Sequence, residues 1–82
     1  MTRRLYNWNY RQVTEFLKEK GFSYYQPLIG SHHSFIKYAE DGTPDRIVEI
    51  NFTHGVYPPK TLKTMIKQSG ISQDEWIAWA NS

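Results

Sequence analysis

This sequence predicts an α+β domain: a helix packed on a three-stranded antiparallel meander and closed by further helix. Three observations carry that reading. Apolar residues recur at helical spacing towards each end of the chain, in Val13, Phe16 and Leu17 and again in Leu62, Met65 and Ile66. Between them lie three runs rich in aromatic and β-branched residues, FSYYQPLI (22–29), HHSFIKY (32–38) and RIVEINF (46–52). The connections between these runs, Gly30-Ser31 and EDGTP (40–44), are too short for helical crossovers. The strands must therefore run antiparallel, with the helices on one face of the sheet.

Each element has its own local signals. Asn9 is placed as an N-cap with Gln12 three residues on, the spacing of a capping box. Lys18 and Lys20 suit the negative end of that helix, and Gly21 ends it. Gly30-Ser31 reads as a two-residue hairpin turn, and Pro27 keeps its strand at an edge. THGVYPP (53–59) is a loop, and Pro59 suits the first turn of a helix over 60–70 that Gly70 closes. Ser72 with Glu75 is a second capping box, opening a short tail helix. Its Trp76, Ile77 and Ala80 are expected to fold back on the body, with Trp79 a candidate for exposure.

Composition narrows the chemistry. The 82 residues predict a single domain over 1–82, with 1–8 a flexible lead and 72–80 a short extra helix. A domain of this size buries roughly 60–65% of its unfolded surface, so any chemistry must use a shallow groove. Four Phe, six Tyr and three Trp within 39% hydrophobic residues argue against disorder. No cysteine is present, which removes disulfides, thiolate metal sites and Cys nucleophiles. MTRRLYNWNY has no apolar secretory core, and no apolar run approaches the ~18 residues of a membrane span. The expected location is the cytoplasm, with no membrane partner. A net charge of +2 is compatible with nucleic acid without pointing to it.

Two of the three histidines stand side by side in LIGSHHSFIK (28–37). Strand alternation separates them: His33, Phe35 and Lys37 share one face, and His32, Ser34, Ile36 and Tyr38 the other. One histidine is thus directed to the core and one to solvent. Histidine titrates near pH 6.5 and can exchange a proton at cellular pH, although a surface histidine on a strand is usually inert. His32 and His33 cannot reach one ion from opposite faces. His54 could join one of them, but no acidic cluster lies nearby to complete a set. No metal and no cofactor are expected. Lys60, Lys63 and Lys67 form a stripe at helical spacing, ordinarily a solvated face and functionally a row of phosphate contacts. The start of that helix has no Ser, Asp or Asn cap, so its free N–H groups could receive an anion. Arg3, Arg4 and Arg11 could extend the positive surface. Trp76 and Trp79 could stack on bases, though core packing is their commoner use.

Two segments resemble the HicA family of toxins, also called YcfA-like. One is the Gly-Ser-x-His hairpin, Gly30, Ser31, His32 and His33. The other is the helix pattern PPKTLKTMIKQSGIS, Pro58 through Ser72. The resemblance covers roughly residues 10–72. It implies a double-stranded-RNA-binding-like α-β-β-β-α fold and a small endoribonuclease that cleaves mRNA and is neutralised by a HicB antitoxin. It implies that His33, last of Gly-Ser-x-His, moves the proton when a 2′-hydroxyl attacks the neighbouring phosphate. Such a reaction needs no metal but does need cations for the phosphate. Many relatives carry Arg or Lys just before the Gly-Ser step, where this chain has Pro27, Leu28 and Ile29. Lys37, on the His33 face, is the expected replacement, with Lys60, Lys63 and Lys67 as further RNA contacts. A module of the same fold that grips RNA or a protein without cleaving it is the alternative reading, and a structural domain meeting a partner through its sheet is a third.

Overall fold

The computed structural model describes residues 8–25, 32–51 and 55–81. The order is α1 (Tyr10–Glu19), β1 (Ser23–Tyr25), β2 (His32–Tyr38), β3 (Pro44–Asn51), α2 (Pro59–Ser69) and α3 (Gln73–Ala80). This is the expected α+β arrangement, with strand order β1-β2-β3 and both pairings antiparallel. The predicted hairpin turn at Gly30-Ser31 and the predicted continuation of β1 to residue 29 lie outside the described residues.

The first capping box forms as the spacing predicts. The Gln12 N–H donates to Asn9 Oδ1 and the Asn9 N–H donates to Gln12 Oε1, each at 3.0 Å. Val13, Phe16 and Leu17 then face inward and are fully buried. After α1 the chain reverses at Gly21, whose φ of 93° is left-handed, and the Phe22 N–H bonds back to Leu17 O at 2.9 Å.

The sheet register decides which face is the core. Phe35 pairs with Val48, His33 with Ile50 and Tyr24 with Phe35. Phe35, Val48 and Ile50 are buried against Phe16, Leu17, Leu62 and Met65, so this face carries the helices. β3 begins at Pro44, two residues before the expected start. The turn is tighter than the EDGTP composition suggests, with Ala39 N–H bonded to Thr43 O at 2.8 Å. Pro44 sits opposite Tyr38, beyond an irregularity at Lys37/Tyr38, where its missing N–H is tolerated.

α2 starts at Pro59, with Pro58 as an N-cap lacking any side-chain bond, and its Leu62, Met65 and Ile66 enter the core. On the outer edge of β3, the Glu49 N–H donates to Gln68 Oε1 of α2 at 3.0 Å, which covers one edge donor. The second capping box is half formed. The Glu75 N–H donates to Ser72 Oγ at 3.2 Å, while the Glu75 carboxylate reaches Lys20 Nζ at 3.5 Å.

The tail helix corrects one expectation. Trp79 does not stand out into solvent. It stacks on Trp8 (5.9 Å between centroids, 28°) and meets the Phe16 edge at 5.5 Å, and its Nε1–H donates to Glu19. Trp76 is buried at 4.4 Å from Phe16 and 5.6 Å from Trp8. Its indole N–H donates to Ser69 Oγ at 3.3 Å. Both tryptophans lock α3 onto α1, which takes their faces away from base stacking. No helix among the described residues is long and apolar enough to cross a membrane.

Gly70 closes α2 in the left-handed region (φ 72°), and a Cβ there would stand 2.7 Å from the Arg46 guanidinium. That guanidinium lies at the negative end of α2 and complements its dipole. Gly70→Ala is expected to cost about 1–2 kcal/mol, from the left-handed backbone and the displaced arginine together. In Gly70→Ala/Arg46→Ala the steric part should vanish, and relative to Arg46→Ala alone only about 1 kcal/mol should remain. Urea midpoints for the four proteins measure this; an equal loss in both backgrounds would remove Arg46 from the explanation.

Candidate functional site

His33 lies on the helix-covered face, beside Phe35, and is half-buried at that face's margin. The core-directed histidine of the pair is therefore His33, and being so directed has not submerged it. On the β1 side of Phe35 the neighbour on this face is Tyr24, which is 46% exposed, whereas Ile50, opposite His33 on β3, is fully buried. Tyr24 and His33 are diagonal neighbours across β1 and β2, the geometry in which aromatic rings meet. Their rings stack at 5.6 Å and 21°, and the Tyr24 hydroxyl and His33 Nδ1 share a hydrogen bond. Tyr24 also leans on Phe35 at 5.5 Å. The imidazole is thus fixed in rotation by a residue on another strand.

Next to this pair runs a shallow groove of about 270 Å3 between α1 and β1, lined by Tyr10, Thr14, Lys18, Tyr24 and Phe35. The three α1 residues are four apart and form one stripe of the helix. Thr14 is turned to its own helix, its hydroxyl donating to Arg11 O at 3.1 Å. Tyr10 and Tyr24 are each 46% exposed, so both offer ring surface to a ligand. Lys18 supplies a cation. Phenols, an ammonium and an apolar floor, with the His33 imidazole stacked on Tyr24, make a surface suited to a phosphate bearing an aromatic base.

The other predicted site residues are distributed unequally. Lys37 shares the His33 face, as alternation requires, but it stands four residues along the strand, about 13 Å away, opposite Arg46 and near the Gly21 turn. Lys18 takes the position beside the groove that Lys37 was expected to fill. Lys60, Lys63 and Lys67 are exposed on α2, which packs along β3, on the opposite flank of the sheet from Tyr24. Of the three, Lys60 lines a larger cleft of about 340 Å3 between β3 and α2. That cleft also holds Glu49, whose charge opposes an anion, and it does not contain His33. Gly30, Ser31 and His54 lie outside the described residues, and of His32 only the pairing with Asn51 is described. Among the described residues no three His, Asp or Glu side chains gather as a ligand set.

Sequence reading missed Tyr24 and the Tyr10-Thr14-Lys18 stripe. The stripe has a legible period, but its Tyr, Thr and Lys carry no local signal that marks a groove wall. Tyr24 became visible only through the strand register. No protein-family model matches this chain, and no curated protein matches it.

Tyr57 closes the same end of the sheet. Its N–H donates to Trp8 O at 2.8 Å and its hydroxyl to Asn51 O at 2.9 Å. Burial, with Tyr10 nearby as a smaller influence, pushes the phenol up to about 12. The neutral form is favoured in the folded state, so this stability is present below the ordinary value near 10 and is lost as pH rises to about 12. Denaturant midpoints should therefore fall over that alkaline window. Tyr57→Phe should flatten the fall while losing about 1 kcal/mol at neutral pH with the hydrogen bond; an unchanged alkaline slope would remove Tyr57 as its source.

Proposed function

We propose that this protein is a HicA-like endoribonuclease in which His33 is the acid–base group. The observation that carries the reading is His33 clamped by Tyr24, whose ring lines an open groove that also presents Lys18. Supporting it are the Gly-Ser-x-His step, the Pro58–Ser72 helix pattern and the α-β-β-β-α order in which they occur.

In this reading the RNA 2′-hydroxyl attacks the adjacent phosphorus. The new P–O bond closes a 2′,3′-cyclic phosphate while the P–O5′ bond breaks. The imidazole accepts the 2′-hydroxyl proton, and a proton must reach the departing 5′-oxygen, which the imidazolium so formed can supply. No oxidant or co-reactant is consumed. Lys18 offsets charge on the phosphate, a role that costs little reorganisation when the cation is already in place. Tyr24 keeps the ring oriented through its stack and its bond to Nδ1. Lys60, at the Asn51 end of β3, and Lys63 and Lys67 beyond it would hold the RNA backbone. The natural regulator in this reading is a HicB-like antitoxin that covers the His33 side, with the cytoplasm as the site of action.

Induced expression in a bacterial host tests the assignment. Wild type should arrest growth, and His33→Ala should relieve the arrest and lower RNA cleavage in vitro by ~10²–10⁴-fold. A wild type that neither arrests growth nor cleaves RNA, or an alanine variant equal to it, points to the non-cleaving module instead. His32→Ala should alter stability or partner binding more than cleavage; equal loss of cleavage in a folded His32→Ala protein would move the role to His32. Replacing Lys60, Lys63 and Lys67 together should flatten the salt dependence of single-stranded RNA binding by ~0.7 log units per lost phosphate contact, whereas an unchanged slope would make the stripe a solvated face.

A further inference from the structure

The α1–β1 groove contains more than a cation for a phosphate. Tyr10 and Tyr24 leave about half of their surface open at its two walls, as Tyr25 and Tyr38 do elsewhere on the sheet. One face of Tyr24 is taken by His33. Tyr10 is held by the first turn of α1, which the Asn9–Gln12 capping box makes rigid. Lys18 lies two turns further along the same stripe, about 12 Å from Tyr10 along the axis, a gap that the lysine side chain shortens. The floor between them is Phe35. A rigid exposed ring, an ammonium one nucleotide-length away and an apolar floor are complementary to a base and its phosphate.

We propose that this groove binds one nucleotide of a single-stranded RNA, its base stacked on Tyr10 and its phosphate paired with Lys18, so that the adjoining linkage meets His33. The inference rests on the endoribonuclease reading for the role of His33, and it adds the single-stranded substrate and the residues that select it. Base–ring stacking needs an unpaired base, whose face a duplex keeps covered. The groove therefore discriminates against paired RNA, although the domain's element order is that of a duplex-binding fold. Stacking accepts any base face, so selection at this position is by strandedness rather than by sequence.

The test measures binding separately from cleavage. Fluorescence anisotropy with 2′-O-methyl oligonucleotides, which lack the attacking hydroxyl, is recorded for single strands and for duplexes of the same sequence. Wild type should prefer the single strand. Tyr10→Ala should weaken single-strand binding ~5- to ~150-fold, the range that one stacked base supplies, while Tyr10→Phe should bind as wild type. Lys18→Gln should lower the salt slope by ~0.7. Thermal denaturation of each variant should stay near wild type, because both side chains are exposed. Equal affinity for duplex and single strand, or a folded Tyr10→Ala protein that binds as wild type, would overturn the inference. Cleavage assays on ordinary RNA separate the two claims. Binding that depends on Tyr10 in a protein that never cleaves RNA keeps the groove and sinks the nuclease. Cleavage with an unaltered KM in Tyr10→Ala keeps the nuclease and sinks the groove.

Discussion

The burial of Phe35 is the constraint on which the rest of the structure depends. Its side chain meets Val48 across β2 and β3, and both enter the core formed by Phe16, Leu17, Leu62 and Met65. Side chains alternate with a period of two, so a strand slipped by one residue would turn its whole apolar set to the wrong face. With Phe35 inside, His33 must lie on the same face, two residues nearer the strand end. The histidine's placement is thus a by-product of core packing and requires no dedicated loop.

His33 is half-buried between the fully buried Ile50, opposite it on β3, and the half-exposed Tyr24 on β1. β1 is described over three residues, all exposed, and its inner position there is Tyr24. A tyrosine tolerates a boundary, because its ring packs while its hydroxyl seeks a polar partner. The partner is the His33 imidazole. The same boundary leaves the Tyr10-Thr14-Lys18 stripe of α1 open alongside. The Tyr24–His33 pair and the groove thus share one tyrosine, which stacks on the imidazole and lines the wall facing α1.

Another face of α1 is treated differently. Trp8, Phe16, Trp76 and Trp79 form a continuous aromatic cluster that draws α3 over the helix. Lys20 joins it, its ammonium 5.6 Å from the Phe16 ring centroid and paired with Glu75. Lys18, two residues earlier, points to the groove. Two lysines with the same helix-dipole rationale in sequence thus have separate roles, decided by which neighbour each meets. The tail tryptophans, which composition alone leaves open to base stacking, are used up in closing the domain.

Much was settled by the sequence itself. The spacing of apolar residues, the Asn9–Gln12 and Ser72–Glu75 caps and the turn residues determined the α-β-β-β-α-α order, most element boundaries and the division of His32 from His33, because these depend on neighbours within a few residues. Tertiary structure decided which histidine shares the covered face, that Tyr24 is its partner, that Lys18 rather than Lys37 lies nearby, and that Trp79 packs inward. Those facts depend on strand register and on which helix covers which strand. They are set by the summed burial of residues far apart in the chain, and local pattern carries no record of that sum.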